Sequence, residues 1–434
     1  MTLPELKPPA PDAAFGLGFY GSRSPGADGR AKATADAFVV TEISDYPLPD
    51  PEGPFTVVRV RSRDWEQHEL AAAIARRWGL PPHALRWAGT KDRRAVAERL
   101  FSFRGVGPER PLDLPRVELL EAYRARTPLV LGHHFGNAFA IRIDALAVDP
   151  ATSVDRYRAI EAELRARHGL PNFFGPQRFG EVRPVTAAVG RALVRGDVAG
   201  AVETYLTEVP ALAAPGPGDV ARRAYAEHHD PARALREFPS EYRFERTLLD
   251  HLARGRPPER AFHALARELR LLFVHAYQSL LFNRWVTARW AAGLPLDRPV
   301  AGDRILRYER DGTVRGDHPV PVDDGNLPEC TALVERDRAV VAGPLVGYAT
   351  PSGPDRPSAL LEQLLAEEGI DRGAFSVPRT PDVASRGAYR PLLLPLPPIG
   401  LAPEPEAVTF RFALPRGAYA TVLLREFLKS GAST

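Results

Sequence analysis

The segment WAGTKDRRAVAERLFSFRG, residues 87–105, holds one carboxylate in a short polar turn, Asp92, flanked by Lys91, Arg93 and Arg94. A carboxylate so placed can act as a nucleophile or general base, because nearby cations hold it ionised. Asp is also a favoured helix N-cap, and the AVAERLF that follows reads as helical. On its own, the segment leaves both roles open. Gly89 is expected to let the backbone bend tightly before it. Lysine itself is rare in this chain. Of 57 Lys+Arg, only Lys7, Lys32, Lys91 and Lys429 are lysines, against 53 arginines. The two types differ wherever a compact charge on a flexible stem is needed. Lys7 and Lys429, near the termini, call for no explanation on this reading. Lys32 and Lys91 stand in motif-like segments.

A second segment, NFFGPQRFG at 172–180, makes a poor helix and a poor strand. Rings, an amide and a guanidinium in one loop suit a nucleobase: a face for stacking, polar groups for its edge and a cation for phosphate. The alternative is an aromatic corner packed into the core. Phe173 and Phe174 are adjacent, so in extended chain they point opposite ways. The pairs His133–His134 and His228–His229 lack the i, i+4 spacing of a zinc helix and read as solvated loop residues. No phosphate-binding Gly-Lys-Ser/Thr loop and no G-x-S-x-G elbow is present. GLGFYG at 16–21 follows no strand and carries no weight. The first 30 residues are expected to lie on the surface or fray.

These groups need a scaffold. The 434 residues, 44% hydrophobic and 26% charged, suit a soluble globular chain of two or three domains. A single cysteine, Cys330, excludes an internal disulfide and multi-cysteine metal sites, and suits a reducing cytosol. No signal peptide or membrane span is expected. The net charge of +3 allows an anionic partner without requiring one. DAFVVTEIS and FTVVRVRS read as strands, and EQHELAAAIARRWG as a helix stopped by Gly79. FGNAFAIRIDAL alternates as a half-buried strand, and SVDRYRAIEAELRARHG as a helix capped by Ser153, with Tyr157, Ile160 and Leu164 inward. A long helical pattern runs from Phe262 to Trp290. Near the end Val408, Phe410, Phe412 and Leu414 alternate, LPRG turns, and AYATVLLREFLKS closes as a helix. Without a regular strand–helix beat, the order favours α+β.

Taken together, these segments resemble the TruD family of pseudouridine synthases. AGTKDRRAV looks like the catalytic segment, NFFGPQRFG like the aromatic motif, and AKATADAFVVTEIS like the N-terminal motif in which a lysine precedes a Phe-x-Val-x-Glu strand. HAYQSLLFNRWV at 275–286 and FALPRGAYATVLLREFLK at 412–429 look like two further family segments. The chain departs at Ala35-Asp36-Ala37, where Pro-Glu-Asp is usual, and at Ala97, where threonine is frequent. The resemblance implies a mixed, largely antiparallel sheet with flanking helices, built from both ends of the chain, and an inserted α/β TRUD domain. The expected division is 1–197 and 385–434 for the catalytic domain, with 198–384 inserted. It implies a cytoplasmic, monomeric enzyme that acts on tRNA, in bacterial members at uridine 13, with no cofactor, metal or obligate protein partner. It makes Asp92 the catalytic carboxylate and Lys32 its ionic partner. Phe174 would face the flipped base, and Asn172 would hold the loop or the base edge. Arg93, Arg94 and Arg178 would meet phosphates, while Lys91 would serve the backbone or phosphates. A scaffold that kept RNA binding without turnover, or a metal hydrolase using the histidine pairs, are the rival readings.

Overall fold

In the computed structural model, residues 6–89, 91, 94–105, 111–180, 183–209, 216–309, 312–314, 316 and 318–431 are described. The strands are β1 (Phe38–Ile43), β2 (Phe55–Arg63), β3 (Val96–Arg104), β4 (Val117–Ala125), β5 (Gly136–Asp144), β6 (Leu170–Pro171), β7 (Arg304–Arg307), β8 (Val320–Pro321), β9 (Ala339–Leu345), β10 (Ala388–Pro391), β11 (Leu393–Leu394), β12 (Gly400–Glu404) and β13 (Ala407–Pro415). The larger sheet has the order β12-β13-β5-β1-β3-β2-β4. All its pairings are antiparallel except β1 with β3. Segments from both ends of the chain thus share one sheet. A smaller antiparallel sheet, β10-β9-β7-β8, is built from residues 304–391.

Alternation fixes the faces. Phe38 and Val40 on β1, Ile141 and Ile143 on β5, and Val408, Phe410, Phe412 and Leu414 on β13 are all buried. They meet Tyr157, Ile160 and Leu164 of the helix Pro150–Ala166 in one core. The helix Gln67–Trp78 packs Leu70, Ile74 and Trp78 against Val58, Val60, Phe101 and Phe103 in a second core. It ends at Gly79 in the left-handed conformation, φ +66°.

Four expectations are corrected. The AVAERLF stretch is not helical: Val96–Arg104 is a central strand between β1 and β2. Residues 99–103 are buried on both faces, which erases the period-two signal, and strand pairing overrides the helix propensity of Ala, Glu and Leu. The helix after β5 is capped by Asp149, which accepts from the Ala151 and Thr152 amides; Ser153 lies inside it and donates back to the Asp149 carbonyl. The long helical pattern breaks at residues 264–266 into Pro258–His263 and Arg267–Ala291. The N-terminal segment from Phe15 onward is part of the core, with Leu17, Phe19, Tyr20 and Ala27 buried. Its glycines are packing requirements: a Cβ on Gly18 would lie 2.2 Å from Thr287 Cγ2, and Gly16 has φ +71°.

The helix Arg267–Ala291 joins the two sheets. Its Asn283 and Thr287 bond to the N-terminal segment at the carbonyls of Phe15 and Gly16. Its Gln278 and Trp285 bond to Val346 and Pro357, beside the smaller sheet.

Candidate active site

The loop that carries the AGTKDRRAV segment is tied down before it reaches Lys91. Arg86 exchanges backbone bonds with Ser102 of β3, and the Ala88 carbonyl accepts from Gly132. Lys91 turns inward. Its ammonium lies 2.7 Å from Glu42 Oε2, with the two side chains 2% and 0% exposed. Glu42 is on the inward face of β1 with Phe38 and Val40, where alternation calls for an apolar side chain. Lys91 is the answer to that carboxylate. Burial pushes the Lys91 pKa down, and Glu42 opposes the shift. The expectation that Lys91 serves the backbone or phosphates is therefore corrected: its charge is spent inside the protein.

His134, half-buried, stands beside this pair. Its pKa is lowered by burial, with Glu42 acting against the shift. A Cβ on Gly89 would stand 3.1 Å from the His134 ring and 3.1 Å from the Lys91 ammonium. Gly89 is thus needed for close approach, not for a left-handed turn. His134 is a packed ring and not the solvated residue expected. His133 sits edge-on to Tyr46 at 4.8 Å. His228 bonds to Glu237 at 3.1 Å, and His229 faces Glu203 at 3.3 Å. Among the described residues no group of three or more His, Cys, Asp or Glu is placed to hold a metal.

Asp92 and Arg93 lie outside the described residues. Their neighbours are placed. Arg94 Nη2 donates to the Ala33 carbonyl at 2.8 Å, so the residue expected at a phosphate has one guanidinium nitrogen committed to the segment of Lys32. Just beyond, β1 and β3 pair in parallel from Val39 opposite Val96. Lys32 and Asp92 therefore belong to two segments pinned together one residue from the first and two residues from the second. Lys32 has φ +58°, and its ammonium stands 4.5 Å from the Phe38 ring centroid. No helix follows Asp92, so the capping role has no helix to cap.

The aromatic segment enters from β6, which pairs with β11. Asn172 is held by four hydrogen bonds. Its backbone N–H donates to Leu392 O, its Nδ2 donates to Pro391 O, its carbonyl accepts from Arg390 Nε at 3.0 Å, and its Oδ1 accepts from Arg390 Nη2 at 2.7 Å. Phe173 points inward, 1% exposed, edge-on to Phe19. Phe174 points the other way yet is only 8% exposed. Asn283 of the long helix clamps its backbone, accepting from the N–H and donating to the carbonyl. Its ring meets Phe282 and Tyr419 edge-on at 5.6 and 6.0 Å. Arg390 lies over its face at 4.1 Å, and Arg178 stands 5.9 Å from the same centroid. Arg178 Nε donates to Ser279.

Burial lowers both guanidinium pKa values, that of Arg390 to about 10, and among the described residues no carboxylate acts on either. His275, one helical turn before Ser279, is pushed down to about 4 by burial and by Arg178. The turn after β13 touches both halves of the site. Arg416 bonds to Phe135 and Gly132, next to His134, while the Gly417 carbonyl accepts from Arg390.

Sequence reasoning found Asn172, Phe174 and Arg178 but assigned no role to Glu42, Asn283, Tyr419, His275 or Arg390. Glu42 had a signal, a charge at an inward strand position. Asn283 and His275 stood in HAYQSLLFNRWV without a distinguishing spacing. Arg390 reaches Asn172 across 218 residues, which no local pattern reports.

A model of the family described as tRNA pseudouridine synthase D (TruD) matches residues 14–427. A Halobacterium salinarum protein named "Probable tRNA pseudouridine synthase D" is 37% identical over 432 residues, covering 96% of this chain and 97% of its own. A Thermococcus gammatolerans protein of the same name is 36% identical, covering 94% and 96%. A crystal structure from Methanosarcina mazei, titled as that of the "Putative tRNA pseudouridine synthase D (TruD)", superposes with a TM-score of 0.79 at 29% identity over 99% of both chains.

Proposed function

The chain belongs to the tRNA pseudouridine synthase D (TruD) family, and we propose on that footing that it isomerises a uridine of tRNA to pseudouridine. The match over residues 14–427 carries the reading, since it spans every segment discussed above. In the reaction the N1–C1′ bond breaks and a C5–C1′ bond forms. C5 gives up its proton and N1 gains one, so atoms and electrons balance without a redox partner. In this reading Asp92 is the reactive carboxylate, attacking sugar or base or removing a sugar proton. Lys32 holds it ionised; the Arg94–Ala33 bond supports that pairing by joining the two segments. The target base leaves its stack and lodges at Phe174. Uridine 13 is the proposed target. The proposed catalytic domain comprises the larger sheet and its helices. The proposed inserted domain is 198–384, and the pairing of β10 with β9 favours moving its end to Pro391.

The test is pseudouridine mapping on an unmodified tRNA transcript treated with the purified protein. Wild type converts one uridine, and Asp92→Asn converts none while its melting temperature stays within about 1 °C, a shift of about 1 kcal/mol for a chain of this size. An active Asp92→Asn protein would overturn the assignment of the carboxylate, and modification at another position would overturn uridine 13.

A further inference from the structure

The buried arginines of this molecule mostly meet acids. Arg289 binds Asp303 through two bonds, Arg222 faces Glu245 and Asp219, Arg183 faces Glu245, and Arg270 reaches Asp382. Arg178 and Arg390 differ. The charged or ionisable groups that act on them are Tyr419 and, for Arg390, Arg178 itself, which repels it. Two guanidinium groups share one aromatic floor with no carboxylate among the described residues to neutralise them. Holding like charges together in a partly desolvated recess is unfavourable unless an anion is supplied.

Their bonding shows where the anion would go. Arg390 uses Nε on the Asn172 carbonyl and Nη2 on Asn172 Oδ1 and on the Gly417 carbonyl. Its Nη1 has no acceptor among the described residues. Among the described residues Arg178 uses only Nε, on Ser279, and its Nη1 and Nη2 meet no acceptor. Both guanidinium carbons lie within 6 Å of the Phe174 centroid. Forked donors with unused nitrogens, beside a ring that can carry a base, match a nucleotide: base at the ring, phosphate at the guanidinium groups.

We propose that Arg178 and Arg390 together form a seat for one phosphodiester of the bound RNA, next to the base held at Phe174. The same Arg390 fixes Asn172 and the 415–419 turn, so occupying the seat is linked to the geometry of the aromatic motif. This rests on the reading that the protein binds tRNA.

The test is the salt dependence of tRNA affinity for the full-length protein with an unmodified transcript, together with single-turnover rates. Each phosphate contact to an unstacked nucleotide contributes about 0.7 to the slope of log affinity against log salt. Arg178→Gln and Arg390→Gln should each flatten the slope by about that amount and slow turnover at least about tenfold. Arg390→Lys should keep the slope, since the charge remains, yet lose turnover, since one ammonium cannot serve Asn172, Gly417 and a phosphate together. A merely structural role would lower the melting temperature and leave both slopes at the wild-type value, and that result would overturn the seat. If Arg390→Gln does not fold, Arg178→Gln decides alone, because it gives up a single protein bond. Added inorganic phosphate at constant ionic strength should weaken tRNA binding by wild type more than by Arg178→Gln. Equal competition would show an anion site elsewhere and overturn the proposal. A wild type that binds tRNA with these slopes but forms no pseudouridine would overturn the enzymatic reading and leave the seat standing.

Discussion

At the scale of single residues, the rare lysines explain themselves. Lys91 is enclosed with Glu42, and its stem ends in a compact charge that the carboxylate, His134 and Gly89 leave room for. A guanidinium there would be broader by a planar fork. Lys91→Arg should therefore destabilise the protein despite following the chain's own preference, by about 1–3 kcal/mol for overpacking. Lys91→Met should cost more, about 3–5 kcal/mol, because Glu42 is then a buried charge without its partner. The double change Glu42→Gln with Lys91→Met should recover much of the loss, since neither charge remains. Urea unfolding of these three variants and of Glu42→Gln alone measures this, and additive costs in the double variant would show that the pair is not coupled. Lys32→Arg tests a different property. It should leave stability unchanged and reduce single-turnover pseudouridine formation at least about tenfold, or 1.4 kcal/mol of barrier, if a compact ammonium beside Asp92 is required. Wild-type rates in that variant would remove Lys32 from the mechanism.

At the scale of elements, the long helix Arg267–Ala291 positions the aromatic motif through Asn283, Phe282 and Ser279, and it also carries a pH dependence. His275 has its pKa lowered from 6.5 to about 4, chiefly by burial and then by Arg178. The neutral ring is the native form. As pH falls through 6.5 the unfolded chain takes up a proton there, while the folded protein does not until about 4. The stability linked to this group is thus full above 6.5 and is lost between about 6.5 and 4, by up to about 3 kcal/mol. His275→Gln should remove that slope, so the gap in unfolding free energy between wild type and variant should shrink or invert across the window. A constant gap would show that His275 titrates normally. The helix also shows what a sequence can and cannot reveal. Its helical pattern was plain, as were the alternations of β5 and β13, and β1 was marked by its β-branched and aromatic residues. The strand β3 was misread because both its faces are buried, and the break at 264–266 was missed because the pattern continues across it. Asn172, Phe174 and Arg178 were legible as a cluster of unusual residue types in one short segment. Arg390 was not, because its meaning comes from a contact with Asn172 that only the fold creates.

At the scale of the whole molecule, the two ends of the chain hold each other in place. Glu426, on the helix Ala420–Leu428, accepts from the amides of Gly21 and Ser22 and from the Ser22 hydroxyl. Lys429, just past that helix, donates to the carbonyls of Ser22 and Ser24 and to the Ser22 hydroxyl, with its side chain 1% exposed. Glu163 accepts from the amides of Arg23 and Ser24 on the other side. A terminal lysine that seemed to need no explanation is thus the centre of a buried polar knot, and the segment expected to fray is its other half. Burial lowers the Lys429 pKa, with Glu426 and Glu163 opposing. Lys429→Met leaves three oxygens without their donor and two carboxylates without their cation. It should cost about 3–5 kcal/mol, the range for breaking a buried charge pair. The coupling predicts where the damage appears. Amide exchange should speed up together in residues 17–30 and in the helix Ala420–Leu428, while strands β7 and β9 of the smaller sheet keep their protection. The turn at 415–419 precedes that helix and binds Arg390 and Gly132, so turnover should fall in parallel with the lost protection. Faster exchange confined to the C-terminal helix, with residues 17–30 unchanged, would mean that the N-terminal segment is held by its bonds to Thr287 and its packing on Pro171 and not by the lysine.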